Sequence, residues 1–114
     1  MAGTLKKISG PAYLGSSVAD IYTPPASTIY TVIKQIHIAN VTAGAVTFTL
    51  YIGATGGSTG GTELFKAVSV PANSVAGPYY FSPGIKMLST DFLTGLASAG
   101  SSLTITVMGE QVVV

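Results

Sequence analysis

The stretch Val46–Ile52, with the sequence VTFTLYI, alternates apolar residues with threonine and tyrosine at every step. Successive side chains of a β-strand point to opposite faces, so this period of two predicts a strand with one face in a core. The stretch Leu103–Val107, with the sequence LTITV, repeats the pattern with threonine on the polar side. Both stretches indicate a sheet that buries one face and turns its threonines outward.

Further strand-like stretches follow one another along the chain, separated by clusters of glycine, proline, asparagine and serine. They are residues 18–22, 30–38, 63–70, 75–82 (interrupted by Gly77 and Pro78), 85–88 and 92–97. About eight short strands without a convincing helix predict an all-β fold, a single antiparallel β-sandwich. A jelly-roll-like sandwich is preferred over an immunoglobulin-like one, because the chain has no cysteine and no tryptophan.

One connection and one long strand allow more specific expectations. The short segment Asn40–Gly44 predicts an antiparallel hairpin between the stretch 30–38 and Val46–Ile52. The stretch 30–38 is apolar on both sides, which predicts a central strand or one covered by a neighbouring chain. Its predicted faces are Tyr30, Val32, Ile36 and Ile38 on one side and Ile33, Gln35, His37 and Ala39 on the other.

The length of 114 residues fits one domain. We expect residues 18–114 to form the β-sandwich and residues 1–17 to form an extended N-terminal arm or an edge segment. A secretion signal is not expected, because Gly10 and Pro11 interrupt the apolar run that would have to follow Lys7. A transmembrane helix is not expected either, because residues 35–62 alternate instead of forming a continuous apolar run.

The surface predicted for this chain carries very little charge. Five lysines and four acidic residues make up 8% of the chain, the hydrophobic fraction is 47%, and arginine is absent. A typical soluble domain has about 25% charged residues. A weakly charged surface is easily dehydrated and repels other copies little. The composition therefore favours a protein that is a subunit of a larger assembly. The absence of clustered cations argues against nucleic acid as a partner.

Residues that could carry chemistry are few and scattered. His37 is the only histidine, and Asp20, Glu63, Asp91 and Glu110 are the only acids. No spacing among them predicts a catalytic pair, a zinc site or a calcium site, so we expect no enzyme activity, metal or cofactor. The glycine-rich segment 53–62 lacks the lysine of a phosphate-binding loop, and we interpret it as a mobile hairpin tip that orders against a partner.

Aromatic residues and the two ends of the chain supply the interface candidates. In the stretch 79–81 we expect Tyr79 and Phe81 to share one face, with Phe81 in the core, and Tyr80 to lie on the other face at an interface. The valines 112–114 complete either the domain's own sheet or the sheet edge of a neighbour. The full set of candidate interface residues is Tyr13, Leu14, Tyr51, Tyr79, Tyr80, Val112, Val113 and Val114.

The segment from Thr28 to Gly109 resembles small virion structural proteins of tailed bacteriophages. The resemblance rests on the stretches 30–40, 46–52, 64–66, 70–74 and 103–109, which form a pattern of strands and turns without an active-site signature. It implies a β-sandwich displayed on the capsid or near the tail, often as an oligomer, with no catalytic residues. It leaves open whether the chain belongs to the head or to the tail.

Two hypotheses of function follow. The leading one is a non-enzymatic virion protein, a capsid decoration or cement protein made in the host cytoplasm and located on the capsid surface. Its expected partners are further copies of itself, as a trimer or larger, and the major capsid protein or another virion protein, with no membrane partner. The alternative is a β-sandwich binding module of a tail or head fibre, in which Tyr51, Tyr79 and Tyr80 stack on carbohydrate.

Overall fold

The structure is a computed structural model, and it describes residues 4–53 and 63–113. Eight β-strands and no helix occur within these two ranges. The strands are β1 (Thr4–Tyr13), β2 (Ala19–Tyr22), β3 (Thr28–Asn40), β4 (Val46–Gly53), β5 (Glu63–Val70), β6 (Val75–Leu88), β7 (Phe92–Ala97) and β8 (Leu103–Val113). No helix long and apolar enough to cross a bilayer is found in the described ranges.

The strands form two four-stranded antiparallel sheets. The first sheet has the order β1-β8-β3-β6 and the second has the order β2-β7-β4-β5. Every connection except that between β4 and β5 passes from one sheet to the other, which is the arrangement of a jelly roll. The predicted all-β, antiparallel sandwich of jelly-roll type is confirmed.

The predicted hairpin at Asn40–Gly44 is wrong, because β3 and β4 belong to different sheets. The side chain of Asn40 is only 3% exposed and holds the crossing. Its Nδ2 donates to the carbonyl oxygens of Gly44 at 2.8 Å and Val70 at 3.0 Å, and its Oδ1 accepts from the amide of Thr42 at 2.9 Å. Loop length does not distinguish a hairpin from such an arch.

The core lies between the sheets and is apolar. Phe48 of the second sheet contacts the rings of Phe65 and Tyr79, with centroid distances of 5.6 and 6.5 Å. This contact joins the sheets, because Tyr79 belongs to β6 of the first sheet. The buried cluster consists of Leu14, Ile33, Ile36, Ile38, Val46, Phe48, Leu50, Val70, Ala76, Met87, Leu93, Ala97, Leu103, Ile105 and Val107.

The faces predicted for the stretch 30–38 are wrong, although β3 is an inner strand as expected. Thr31 and Ile33 are buried before position 34, whereas Ile36 and Ile38 are buried after it. The pairing of β3 with both neighbours shifts between Ile33 and Gln35. A β-bulge adds one residue to a strand and thereby changes which parity faces the core.

The two ends of the chain lie side by side in the first sheet. Residues 4–13 are not a free arm in this structure, since they form the edge strand β1 and pair with β8 from Thr4 opposite Gln111 to Tyr13 opposite Thr104. Strand β8 extends to Val113, which pairs with Thr28 of β3. Strand β8 therefore lies between β1 and β3.

The stretches 75–82 and 85–88, predicted as separate strands, form the single edge strand β6. Its pairing with β3 jumps from Ile85 opposite Ile33 to Tyr80 opposite Gln35. Proline is tolerated at a sheet edge, where its missing amide faces away from the neighbouring strand. This position explains how Pro78 and Pro83 fit within one strand.

Candidate interaction surface

Large apolar side chains are exposed on the strands of the first sheet and in the segment that follows β3. Tyr13 of β1 is 59% exposed, and Tyr80 and Leu88 of β6 are 73% and 54% exposed. All six exposed large hydrophobic residues of the described ranges belong to the first sheet or to the segment that leaves β3, and none belongs to a strand of the second sheet. The complete set is Tyr13, Ile29, Val41, Val75, Tyr80 and Leu88.

The first sheet presents a regular outer face, which we call the first-sheet face. The register places Lys7, Met108, Gln35 and Tyr80 in one row across its four strands. A second row contains Glu110, Val32 and Lys86. Most of this face is neutral, because the half-buried residues along its two inner strands include threonine, glutamine and methionine.

Among the described side chains of the first-sheet face, three lysines and one glutamate are charged. Lys34 lies 4.0 Å from Glu110, and the two side chains are about one third exposed. The ammonium group of Lys86 lies 4.7 Å from the centre of the Tyr30 ring, a cation–π contact. Lys7 is exposed near the opposite edge of the sheet. Apart from the Lys34–Glu110 pair, the charged groups among the described side chains of this face are Lys7 and Lys86, and both are positive.

The outer side of the second sheet, which we call the second-sheet face, differs. Asp20, Thr94, Tyr51 and Glu63 form one row across its four strands. Thr94 and Tyr51, in the middle of the row, are 0% and 7% exposed, whereas the carboxylates at its two ends are exposed. The hydroxyl of Thr94 is the one buried side-chain polar atom of the described residues without a hydrogen-bond partner. The centre of this row is therefore buried, and exposed carboxylates lie at its two ends.

The three consecutive aromatic residues of β6 alternate as the sequence predicts. Tyr79 and Phe81 are half-buried and pack against the core, whereas Tyr80 points away from it. The rings of Tyr79 and Phe65 have a centroid distance of 4.7 Å. Tyr79 therefore packs in the core, and Tyr80 is the one aromatic side chain of this stretch that is exposed enough to contact a partner.

The remaining candidate interface residues include both exposed and buried side chains. Tyr13 is exposed, whereas Leu14, Tyr51 and Val112 are 2%, 7% and 4% exposed. These three side chains are buried and are therefore not available to a partner in this structure. Val113 extends the pairing of β8 along β3, and Val114 lies outside the described residues. At least through Val113, the C-terminal valines complete the domain's own sheet.

Sequence reasoning missed four exposed apolar residues, Ile29, Val41, Val75 and Leu88. Val75 and Leu88 are the first and last residues of β6, and Ile29 is the second residue of β3, so they lie where a period-two pattern begins or ends. Val41 directly follows β3 in the arch to β4. For Leu88 a signal existed, because it shares its parity with the polar Lys86 on a strand.

No arrangement for catalysis is found in the ranges the structure describes. His37 is half-buried on β3, opposite Thr106 of β8. The described residues contain no pocket and no group of three or more side chains that could hold a metal ion. The glycine-rich segment interpreted as a hairpin tip lies outside the described residues from residue 54 to residue 62, although β4 and β5, which flank it, do pair in an antiparallel manner.

Comparison with known proteins adds information on the fold. No protein-family model and no curated protein sequence matches this chain. A solved structure of a protein from Bacillus endospore appendages, which form a novel family of disulfide-linked pili, is similar over 100% of this chain and 91% of its own. The TM-score is 0.55 and the sequence identity is 17%. At this identity the likeness shows a common β-sandwich fold.

Proposed function

We propose that this chain is a non-enzymatic structural subunit of a virion, and specifically a capsid decoration protein. The observation that carries the proposal is that, among the described strands, only those of the first sheet expose large apolar side chains. Such a one-sided patch on a sandwich without a pocket in its described part suits a flat protein contact better than a small ligand.

The energetics of such a contact are favourable. Tyrosine buries a large rigid area at low cost in conformational entropy, and neutral threonine and glutamine lose little hydration energy compared with charged residues. The first-sheet face combines both, with Tyr80 beside Gln35 and Met108. Repetition over a lattice adds avidity to each modest contact. These properties support a subunit that is present in many copies.

The structural neighbour supports this proposal only at the level of the fold. A chain of similar architecture is found in pili, which are repetitive structural assemblies. The disulfide linkage of those pili has no counterpart here, because this chain contains no cysteine. Subunits of this protein would have to associate through noncovalent contacts. The virion assignment itself rests on the resemblance between residues 28–109 and small phage virion proteins.

The alternative of a carbohydrate-binding module has less support. It required Tyr51, Tyr79 and Tyr80 as stacking surfaces. Tyr51 is buried and the ring of Tyr79 packs against Phe65, so a single exposed tyrosine remains of the three. Carbohydrate recognition by stacking on Tyr80 alone would lack the concave surface that usually surrounds a small ligand.

Sedimentation and capsid binding test the proposal. We expect the protein to form trimers or larger assemblies at tens of micromolar and to bind capsids that lack it. Tyr80→Ala should weaken that binding at least about tenfold, because truncating a central interface tyrosine typically costs about 2 kcal/mol or more. Ser16→Ala, in the exposed segment between β1 and β2, is the matched control. A protein that sediments as a monomer and does not bind capsids would overturn the proposal.

A further inference from the structure

Four exposed side chains, which we call the corner residues, mark out a patch on the first-sheet face. The register places Lys7 and Tyr80 at the two ends of one row across the four strands. It places Tyr13 and Val75 at the two ends of a second row. The ends of each row are three strand spacings apart, about 14 Å, and the rows are four residues apart along β3 and β8, about 13 Å.

All four corner residues point away from the core. Each of them adjoins, along the chain, a residue that packs in the core, and successive side chains of an extended chain point to opposite faces. These core-packed neighbours are Ile8, Leu14, Ala76 and Tyr79. The corner residues are accordingly exposed, and they are free to contact another molecule.

The two inner strands fill the patch between its corners. The inner positions of the rows are half-buried and alternate with core-facing residues of β3 and β8. Thr106 and His37 lie opposite each other between the rows. Contact with another sheet would therefore desolvate no carboxylate and no lysine at these positions. The inner positions of the two rows are Met108, Gln35, Thr104 and Ala39.

We propose that the first-sheet faces of two copies pack against each other about a two-fold axis that runs parallel to the strands. Rotation about this axis places β1 of one copy over β6 of the other. Lys7 then lies against the ring of Tyr80 of the second copy, and Tyr13 lies against Val75, each contact occurring twice. The first contact gains cation–π energy and the second buries apolar area. This inference rests on the proposed function, since it names a second copy as the partner of the exposed apolar side chains.

The size of the contact selects this axis over one that crosses the strands. Strand β3 has 13 residues and spans about 43 Å at about 3.3 Å per residue, so the strands follow the 44 Å axis of the molecule. A side that contains this axis is comparable to the ~800 Å² per partner of a stable interface. An axis across the strands at the row of Lys7 would oppose Lys7 to Lys7, which costs binding energy. An axis midway between the two rows would leave the exposed Leu88 at the end of β6 outside the contact.

The two-fold contact has a consequence for binding to capsids. Such a contact closes at a dimer, so the larger assemblies expected above would be built from dimers through a second contact. A dimer presents two capsid-binding sites, and its dissociation removes the avidity of the pair. Tyr80→Ala therefore weakens capsid binding through the loss of the dimer, although the ring of Tyr80 contacts the second copy.

Crosslinking tests both the contact and its axis, because the chain contains no cysteine. A mixture of the single variants Lys7→Cys and Tyr80→Cys should give crosslinked dimers with a bismaleimide that spans about 10 Å, the usual distance between packed sheets. A mixture of Tyr13→Cys and Val75→Cys should do the same. The matched control is Lys7→Cys mixed with Val75→Cys. It should crosslink at least about fivefold less, since the two positions are offset by about 13 Å along the strands.

A charge placed in the centre of the patch provides a second test. Thr106→Lys should weaken self-association at least about tenfold in sedimentation velocity experiments, because two lysines enter the contact. Thr47→Lys is the matched control, since Thr47 is also half-buried on an inner strand but lies on the second sheet. It changes the net charge equally and should change self-association by less than about twofold. Thermal unfolding of both variants checks the fold.

Tyr80→Ala keeps the test valid if Thr106→Lys does not fold. The Tyr80 side chain is mostly exposed, so its truncation leaves the core intact. We expect self-association to weaken at least about tenfold, because a tyrosine in an interface typically contributes about 2 kcal/mol or more. Wild-type self-association in this variant would overturn the contact.

The outcomes separate this inference from the proposed function. Equal crosslinking of the control mixture, or equal self-association of Thr106→Lys and Thr47→Lys, would overturn the two-fold contact. A wild-type protein that binds capsids as a monomer would also overturn it and would leave the structural role standing. A dimer with the expected crosslinks in a protein that does not bind capsids would support the contact and overturn the virion role.

Discussion

The first and second sheets bury their inner sides in one core, but their outer sides differ. The first sheet exposes Tyr13, Tyr80 and Leu88, whereas the second sheet buries Tyr51 and Thr94 at the centre of its outer row. The inner sides must match because they pack against each other at the density of a protein interior. The outer sides are free of that requirement. The outer sides therefore supply the surfaces on which the proposed contacts with other proteins are based.

The largest effect is expected where the sheets meet. Phe48 is 1% exposed and contacts Phe65 within its own sheet and Tyr79 of the other sheet. Phe48→Ala should destabilise the protein by about 3–5 kcal/mol, since it removes a buried ring and leaves a cavity. Chemical denaturation measures this loss. Phe48→Leu is the control and should cost clearly less, and an equal loss for both variants would contradict a cavity-dominated cost.

A smaller effect is expected at the arch that carries the chain from the first sheet to the second. Asn40→Ala removes the donor to the buried carbonyl of Val70, along with the bonds to Gly44 and Thr42. A buried carbonyl without a partner costs about 1–3 kcal/mol, which should appear in the free energy of unfolding. The neighbouring exposed Val41→Ala should change stability by less than about 0.5 kcal/mol. Equal effects of the two variants would show that the side chain of Asn40 does not hold the arch.

The smallest effects are expected for two threonines of the second sheet. Here the test is whether replacement by valine raises or lowers the stability of the protein. Thr94 has a buried hydroxyl without a partner, whereas the Oγ1 of Thr49 accepts a hydrogen bond from the amide of Ala67 at 2.9 Å. Thr94→Val should be neutral or stabilise the protein by up to about 1 kcal/mol, and Thr49→Val should destabilise it by about 1 kcal/mol. Thermal unfolding separates the two, and the same sign for both would mean that Thr94 has a partner in solution.

Alternation along short stretches was sufficient to predict most of the strands. Residues 63–70 and 92–97 were predicted with the bounds that the structure has. The alternation of Tyr79, Tyr80 and Phe81 likewise identified the side chain that faces away from the core. These predictions succeed because the period of two is a local property of an extended backbone with one buried face.

The same local patterns could not reveal the bulge in β3 or the burial of Tyr51. The bulge around Lys34 exists because β3 must keep its apolar side inward while pairing with β6 and β8 at once. Tyr51 alternates with the core-facing residues Leu50 and Ile52 and so looks exposed in the sequence, yet it is only 7% exposed in the structure. The register of β3 against its two neighbours depends on strands that are distant along the chain.

The amino-acid sequence by itself determined that this chain is an all-β sandwich with a weakly charged surface. Backbone periodicity and composition are local quantities, and they need no knowledge of which strands are neighbours. Only the tertiary structure decided that Asn40–Gly44 crosses between sheets, that residues 4–13 form an edge strand, and that β8 lies between β1 and β3. Those features arise from the pairing of residues far apart in sequence, and loop length does not specify such pairing.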